Sequence, residues 1–140
     1  MKQVGLLITA VFLFACTPSN QQPQIVFEDA WVRAMPPGSR MTAGFGRLVN
    51  TGTSEIVIAE WTSDDFENVS LHRTLNQDGV SRMRRVPELR LSPGAEQVLE
   101  PGGFHLMFMQ PVPGNRQMVR LKVELSDGRQ FSFELPVERR

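Results

Sequence analysis

Residues 104–110 read FHLMFMQ, a stretch in which apolar side chains alternate with histidine and methionine. Alternation with a period of two is the pattern of a β-strand that has one face in the core. The face that we expect to lie in the core holds Phe104, Leu106 and Phe108. The opposite face holds His105, Met107 and Met109, so this strand supplies the first candidate site residues.

The rest of the chain repeats this kind of segment. Short β-prone stretches are separated by turn signals such as Pro-Gly and Asp-Gly, and no window of eleven residues after the N-terminal segment has a helical repeat. Roughly nine strands at this spacing predict an antiparallel sandwich or barrel. The predicted strands are 25–33, 41–50, 55–61, 68–75, 80–86, 95–99, 104–110, 118–125 and 130–137. The large side chains expected in the core are Trp31, Trp61, Phe104, Phe108, Phe131 and Phe133.

Composition limits the classes of function. The chain has 140 residues with 15 Lys and Arg against 15 Asp and Glu. This length fits one domain, and the zero net charge argues against a nucleic-acid partner, which would need a basic surplus. The single cysteine, Cys16, excludes an intrachain disulfide framework and a Cys-based zinc site. There are two histidines, His72 and His105, against seven methionines.

The N-terminal segment resembles a bacterial lipoprotein signal. Lys2 precedes an apolar run of about 11 residues, which is too short to span a bilayer, and Leu-Phe-Ala-Cys follows. We expect cleavage after residue 15, lipidation of Cys16, a flexible tether over residues 16–24 and a folded domain over 25–140. The protein would then be periplasmic and membrane-anchored, and Thr17 favours the outer membrane. The alternative is an ordinary secretory signal with an incidental cysteine.

Two predicted strands, Asn68–Leu75 and Val80–Val86, flank an Asn-Gln-Asp-Gly turn signal. If the loop has four residues, His72 lies directly opposite Met83. If the turn has two residues, the same side chains are diagonal neighbours on one face. In either register we expect His72 to share a face with Met83, as His105 does with Met107.

Two imidazoles and two thioethers form a soft to intermediate donor set. Thioether sulfur favours Cu(I), whereas the absence of a thiolate argues against a blue-copper electron-transfer centre. These neutral donors are suited to reversible carriage of copper. A single surface histidine is usually only solvated, and a methionine in a strand usually fills the core. Two His/Met pairs in one chain weaken that interpretation.

The spacing His72, ten residues, Met83, twenty-one residues, His105, one residue, Met107 resembles the signature of the periplasmic copper chaperones of the PCuAC family. The segment Pro101–Met107 is its most specific part, and the similarity runs from about residue 25 to 137. The resemblance implies an all-β, cupredoxin-like or immunoglobulin-like antiparallel β-sandwich of about eight to nine strands. It also implies one Cu(I) per domain, bound by those four residues.

The resemblance further implies delivery of copper to the dinuclear centre of cytochrome c oxidase, in subunit II, alone or alongside a thiol-bearing copper chaperone. We expect a monomer that is anchored to the membrane through its lipid and is not an enzyme. Many relatives carry additional methionines where this chain has Thr74 and Ser81, and a His/Met-rich tail that this sequence lacks. We therefore expect a single copper site.

Several residues around the proposed ligands have two interpretations. Met109 could add another thioether, although packing is the usual role of a strand methionine. Arg73, Arg84 and Arg85 are either solvated strand positions or a basic rim that orients an acidic partner. Because Arg84 alternates with Met83, at most part of this cluster can border a metal.

The alternative function is an immunoglobulin-like envelope interaction module with a vestigial metal site. An enzyme is the least favoured class, because lipidation would leave no free cysteine and the sequence has no Ser-His-acid pattern.

Overall fold

The computed structural model describes residues 24–140, which form ten β-strands. The predicted signal peptide, the lipidation site Cys16 and residues 17–23 of the predicted tether lie outside the described residues. Within the described residues no helix is long and apolar enough to span a membrane. The strands are β1 (Ile25–Arg33), β2 (Met41–Asn50), β3 (Ile56–Ser63), β4 (Phe66–Gln77), β5 (Val80–Arg85), β6 (Leu89–Leu91), β7 (Glu96–Leu99), β8 (Phe104–Pro111), β9 (Met118–Leu125) and β10 (Gln130–Glu138).

The strands form two layers around one core. One layer has the order β5-β4-β8-β2-β1, with β7 also paired to β2, and the other has the order β10-β9-β3-β6. A short parallel pairing between β1 and β10, with Val32 opposite Val137, joins the layers. The predicted all-β sandwich is therefore confirmed, although this one parallel pair departs from a purely antiparallel fold.

Each of the nine predicted segments overlaps an observed strand. The strand that sequence reasoning missed is β6, whose three residues are too few to show an alternating pattern. It pairs with β3 at the edge of the second layer, so ten strands replace the expected eight to nine.

The core lies between the layers and includes Trp61 and Phe108, as predicted. The other three predicted phenylalanines are half-buried and pack against its margin; they are Phe104, Phe131 and Phe133. Trp31 is also buried, as predicted, but it lies outside the main core cluster. It lies directly opposite Phe45, and their ring centroids are 4.8 Å apart.

The displacement of Trp31 follows from an irregularity in β1. The register of β1 against β2 shifts between Glu28 and Trp31, and Asp29 there has a φ of 48°. An extra residue in a strand reverses the alternation beyond it. Ile25 therefore faces the core before the bulge and Val32 after it, whereas Trp31 lies on the outer face of its sheet.

Close packing of β2 against β8 requires glycine at position 44. Gly44 pairs with Leu106, and a Cβ atom at position 44 would lie 2.6 Å from ring atom Cε2 of Phe108. Phe108 is fully buried, so its ring has little freedom to move. This contact holds β8 against β2.

We predict that Gly44→Ala lowers the free energy of unfolding by about 1–3 kcal/mol, because overpacking forces the Phe108 ring to shift. Urea denaturation would measure the change. The control is Gly103→Ala, whose added Cβ would meet the flexible Glu100 side chain at 3.2 Å. Equal stability of the two variants would contradict the proposed constraint.

A carboxylate ties the turn between β3 and β4 to β9 and to the segment before it. Asp65 accepts hydrogen bonds from Arg116 Nε at 2.7 Å and from the Arg120 backbone N–H at 2.9 Å. Burial would raise the pKa of Asp65, but these two hydrogen bonds and the charges of the two arginines outweigh it and lower the pKa. The ionised form is thus stabilised by folding.

Asp65→Asn should therefore destabilise the protein at pH 7 by about 1.5–3 kcal/mol, the range for a hydrogen bond to a charged group. Because the pKa is lowered in the folded state, this contribution is present above the unfolded pKa of about 3.9 and is lost as the pH falls through the folded value. Denaturation at pH 7 and at pH 3 would test this. Asp127→Asn, which removes an exposed pair with Arg129, is the control and should have little effect. A pH-independent penalty for Asp65→Asn would contradict this account.

Candidate metal centre

The two histidines meet across the pairing of β4 with β8. His72 lies directly opposite His105 in this register, and their ring centroids are 6.0 Å apart with an angle of 30° between the rings. Sequence reasoning placed each histidine on a ligand face but did not predict this pairing. The pairing is non-local, and nothing in the sequence states which strand lies next to β4.

The β4–β5 hairpin has a different register from the first alternative considered above. Gln77 pairs with Val80 and Met83 lies opposite Thr74, so the direct pairing of His72 with Met83 is wrong. The reason is a two-residue turn in which Asp78 and Gly79 have φ angles of 51° and 76°, as in the hairpin turns that match strand twist. Met83 is therefore a diagonal neighbour of His72 on the same face, which is the second alternative.

A cavity of about 370 Å³ opens on this face of the sheet. His105, Met83 and Met107 line it together with Met41 and Phe45. Met107 lies between Ser70 on β4 and Ala43 on β2, and both neighbours are small. His105 is 6% exposed and Met83 is 59% exposed. The cavity is therefore lined by a buried imidazole and by an accessible thioether.

The Pro-Gly-Gly segment before β8 orients His105. The carbonyl of Gly103 accepts hydrogen bonds from the Thr74 backbone N–H at 3.0 Å and from His105 Nδ1 at 3.2 Å. Because a carbonyl only accepts, Nδ1 of His105 is the donor, and in the neutral ring the lone pair is then on Nε2. Gly102 has a φ of 82°, a conformation that glycine adopts without steric cost. The loop thus fixes the ring in the form that a metal ligand requires.

His72 has one satisfied ring nitrogen and one that is unpartnered. Nε2 lies 2.9 Å from the hydroxyl oxygen of Ser70, whereas Nδ1 is buried without a hydrogen-bond partner. When Nε2 donates to Ser70, Nδ1 holds a free lone pair. A buried unpaired nitrogen costs free energy that a bound ligand would offset. This orphaned atom fits the coordination of a metal at this position.

The pKa of His72 is lowered, first by burial and then by electrostatic interaction with His105 and with Arg85. Its imidazole is therefore neutral near pH 7, which is the form that binds metals. Arg85 lies directly opposite His72, on the ligand face. Arg85 is therefore the member of the predicted arginine cluster that borders the site.

The other two members of that cluster lie on the reverse face of the hairpin. Arg73 and Arg84 are directly opposite each other, and Arg73 stacks over Phe104 at 5.1 Å from the ring centroid. In the described part of the chain neither arginine forms an ion pair, and Arg85 forms none either. The predicted basic rim is thus divided, with Arg85 on the ligand face and Arg73 and Arg84 on the reverse face.

Met109 is on the ligand face, one step along β8 from Met107. Its cross-strand neighbours are Asn68 on β4 and Met41 on β2. It does not line the cavity that holds His105 and Met107. Among residues 24–140 no group of three or more His, Cys, Asp or Glu side chains could hold a metal ion.

The four predicted ligands therefore share one face of three neighbouring strands. Met83 lies on β5, His72 on β4, and His105 and Met107 on β8. Two nitrogen and two thioether donors, all neutral, suit a soft monovalent ion. A hard divalent cation would need oxygen donors instead.

Comparison with known proteins identifies the family of this chain and a relative. Residues 25–137 match the model of a family described as "LpqE-like: Putative lipoprotein LpqE-like". The chain is 33% identical over 141 residues to "Putative lipoprotein Lxx21020" of Leifsonia xyli subsp. xyli (strain CTCB07), an alignment that covers 96% of this chain and 83% of that protein.

Two solved structures have a similar fold. The "Copper-bound PCuAC domain from PmoF2" superposes with a TM-score of 0.68 and 19% identity, covering 84% of this chain and 95% of that one. The solution structure of CuI-DR1885 from Deinococcus radiodurans has a TM-score of 0.66 and 25% identity, covering 86% and 82% of the two chains. These findings confirm the predicted cupredoxin-like sandwich and the resemblance to the PCuAC family.

The position of Arg85 generates a prediction for the metal-free protein. Arg85→Ala should raise the pKa of His72, because it removes a positive charge that disfavours the imidazolium. Arg84→Ala is the matched control, since its side chain lies on the reverse face and should leave the pKa unchanged. NMR titration of the ring protons would measure both, and equal shifts in the two variants would contradict the assignment of faces.

Proposed function

The chain belongs to the LpqE-like family and has the fold of PCuAC domains, and on this premise we propose that it is an extracytoplasmic Cu(I)-binding metallochaperone. The observation that carries the proposal is the direct pairing of His72 with His105, flanked on the same face by Met83 and Met107.

Cu(I) fits this donor set better than other biological metal ions. It accepts thioether and imidazole ligands without requiring charge neutralisation, whereas structural zinc sites are built mainly from thiolate and imidazole donors. The similar structures include a copper-bound PCuAC domain and CuI-DR1885, and these support the choice. One Cu(I) would be held by His72, Met83, His105 and Met107.

The difference in burial among the four residues suits transfer rather than storage. His105 is nearly buried and oriented by Gly103, so it forms a rigid end of the site. Met83 is on β5, an edge strand in which every residue is exposed. A recipient protein can therefore replace this thioether first, while the copper is still held by the histidines.

We further propose that the protein delivers copper to the dinuclear centre of cytochrome c oxidase subunit II. It would do so alone or with a thiol-bearing copper chaperone. We also propose that the protein is a monomer and that it is located in the periplasm. The description of the family and of the Leifsonia relative as lipoproteins supports a membrane anchor at Cys16. The outer membrane remains a prediction from Thr17.

Chelator competition tests the copper site. The purified protein should withdraw about one equivalent of Cu(I) from a chromogenic chelator, and His105→Ala should abolish this withdrawal. Met83→Leu should weaken the affinity by about tenfold or more, the scale expected when one ligand is lost from a four-ligand site. Met118→Leu, which changes an exposed methionine on β9, is the control. A His105→Ala variant that competes as well as wild type would contradict the site.

Growth under copper limitation separates a carrier from an interaction module with a vestigial site. The carrier predicts that cells with Met83→Leu lose cytochrome oxidase activity, while Met118→Leu cells retain it. Unchanged oxidase activity in Met83→Leu cells, with the variant present at the wild-type level, would contradict delivery to the oxidase.

A further inference from the structure

A second pair of methionines lies on the same face as the proposed copper ligands. Met41 on β2 is directly opposite Met109 on β8. Side chains in such cross-strand positions have Cβ atoms about 5 Å apart, within reach of two thioether arms that contact one ion. Met109 follows Met107 by two residues, so the three sulfurs lie on one stretch of the sheet surface.

Met41 is unusually accessible for a large apolar side chain in a strand. It is 52% exposed, yet it also lines the cavity of about 370 Å³ with His105, Met83 and Met107. A methionine that only filled the core would be buried, as Phe108 is beneath the same sheet. Met41 therefore links the cavity to solvent.

The backbone around Met41 and Met109 is fixed on both strands. The Ser39 hydroxyl donates to the Met41 carbonyl at 2.8 Å, and the Gln110 N–H donates to the Arg40 carbonyl at 2.8 Å. On the other side of Met109, Asn68 Nδ2 donates to Gln110 Oε1 at 3.1 Å. The two thioethers thus extend from a rigid base, which reduces the entropy lost when they bind an ion.

The position on β2 next to this pair holds a small side chain. Ala43 lies opposite Met107 and lines the cavity. No carboxylate occupies a position directly opposite Met109 or Met107 in the pairings with β2 and β4. The surroundings therefore offer soft neutral donors and do not favour a hard cation.

We propose that Met41 and Met109 form a second, weaker binding site for a soft monovalent metal ion, Cu(I) in the cell. The inference rests on the proposed function, because it extends the same copper-carrying face. Two thioethers leave Cu(I) coordinatively unsaturated, so the ion remains open to a further ligand from Met107 or from an incoming protein.

Movement of copper to this site is a simple exchange of ligands. New bonds form from copper to the sulfurs of Met109 and Met41, and the bonds to the histidines and Met83 break. The ion stays Cu(I), so no electron is transferred, and neutral thioethers neither take up nor release a proton. Copper can thus move along the face without an external reductant.

Ag(I) is the probe for the test, because it binds thioethers like Cu(I) and is stable to air. The protein, labelled at its methionine methyl groups, is titrated with Ag(I) and followed by NMR. We expect the first equivalent to shift Met83 and Met107, and the second to shift Met41 and Met109. Met41→Leu should weaken the second event by about tenfold and the first, to which Met41 supplies no proposed ligand, by much less.

Met118→Leu is the matched control and should leave both events unchanged. The second site is overturned if the Met41 methyl is unmoved at two equivalents, if Met109 shifts with the first equivalent, or if Met41→Leu titrates like the control. Failure of Met83 and Met107 to shift at the first equivalent would instead overturn the proposed function, and with it this inference.

Discussion

The register of β4 against β8 is the constraint on which the candidate site depends. It places His72 opposite His105 and aligns Met107 with small neighbours on both sides. The Phe108 ring packed over Gly44 holds β8 from below, and the Gly103 carbonyl holds it from its start by accepting from both Thr74 and His105. A slip of β8 by one residue would turn His105 and Met107 into the core, so packing and metal binding select the same register.

The site combines a rigid end with an accessible end, and this asymmetry gives the fold its proposed use. His105 is hydrogen-bonded to the Gly103 carbonyl, and His72 to the Ser70 hydroxyl. Met83, in contrast, lies on the exposed edge strand β5. Neutral donors and the nearby charge of Arg85 leave a bound cation uncompensated. Such a site binds a soft ion through ligand preference rather than through charge, which favours exchange with another soft site.

Much of the fold, and the face that holds the candidate ligands, could be predicted from the sequence. Period-two alternation located nine strands and assigned His105 and Met107 to one face, because that signal is local. The errors came from features that local patterns do not carry. The bulge before Trp31 reversed the alternation by one residue, and the Asp78-Gly79 turn moved Met83 from opposite His72 to opposite Thr74. The pairing of His72 with His105 needed the position of β4 beside β8, which only the folded chain supplies.

The copper site proposed above consists of two imidazoles and two thioethers on one sheet face, which together hold a single Cu(I). X-ray absorption spectroscopy of the protein loaded with one equivalent of Cu(I) tests it most directly, because it reports both oxidation state and the types of ligand atom. We expect an edge characteristic of Cu(I) and a coordination shell with nitrogen and sulfur scatterers in equal numbers. A coordination shell without sulfur, a shell of sulfur alone, or an edge characteristic of Cu(II) would contradict the proposed site.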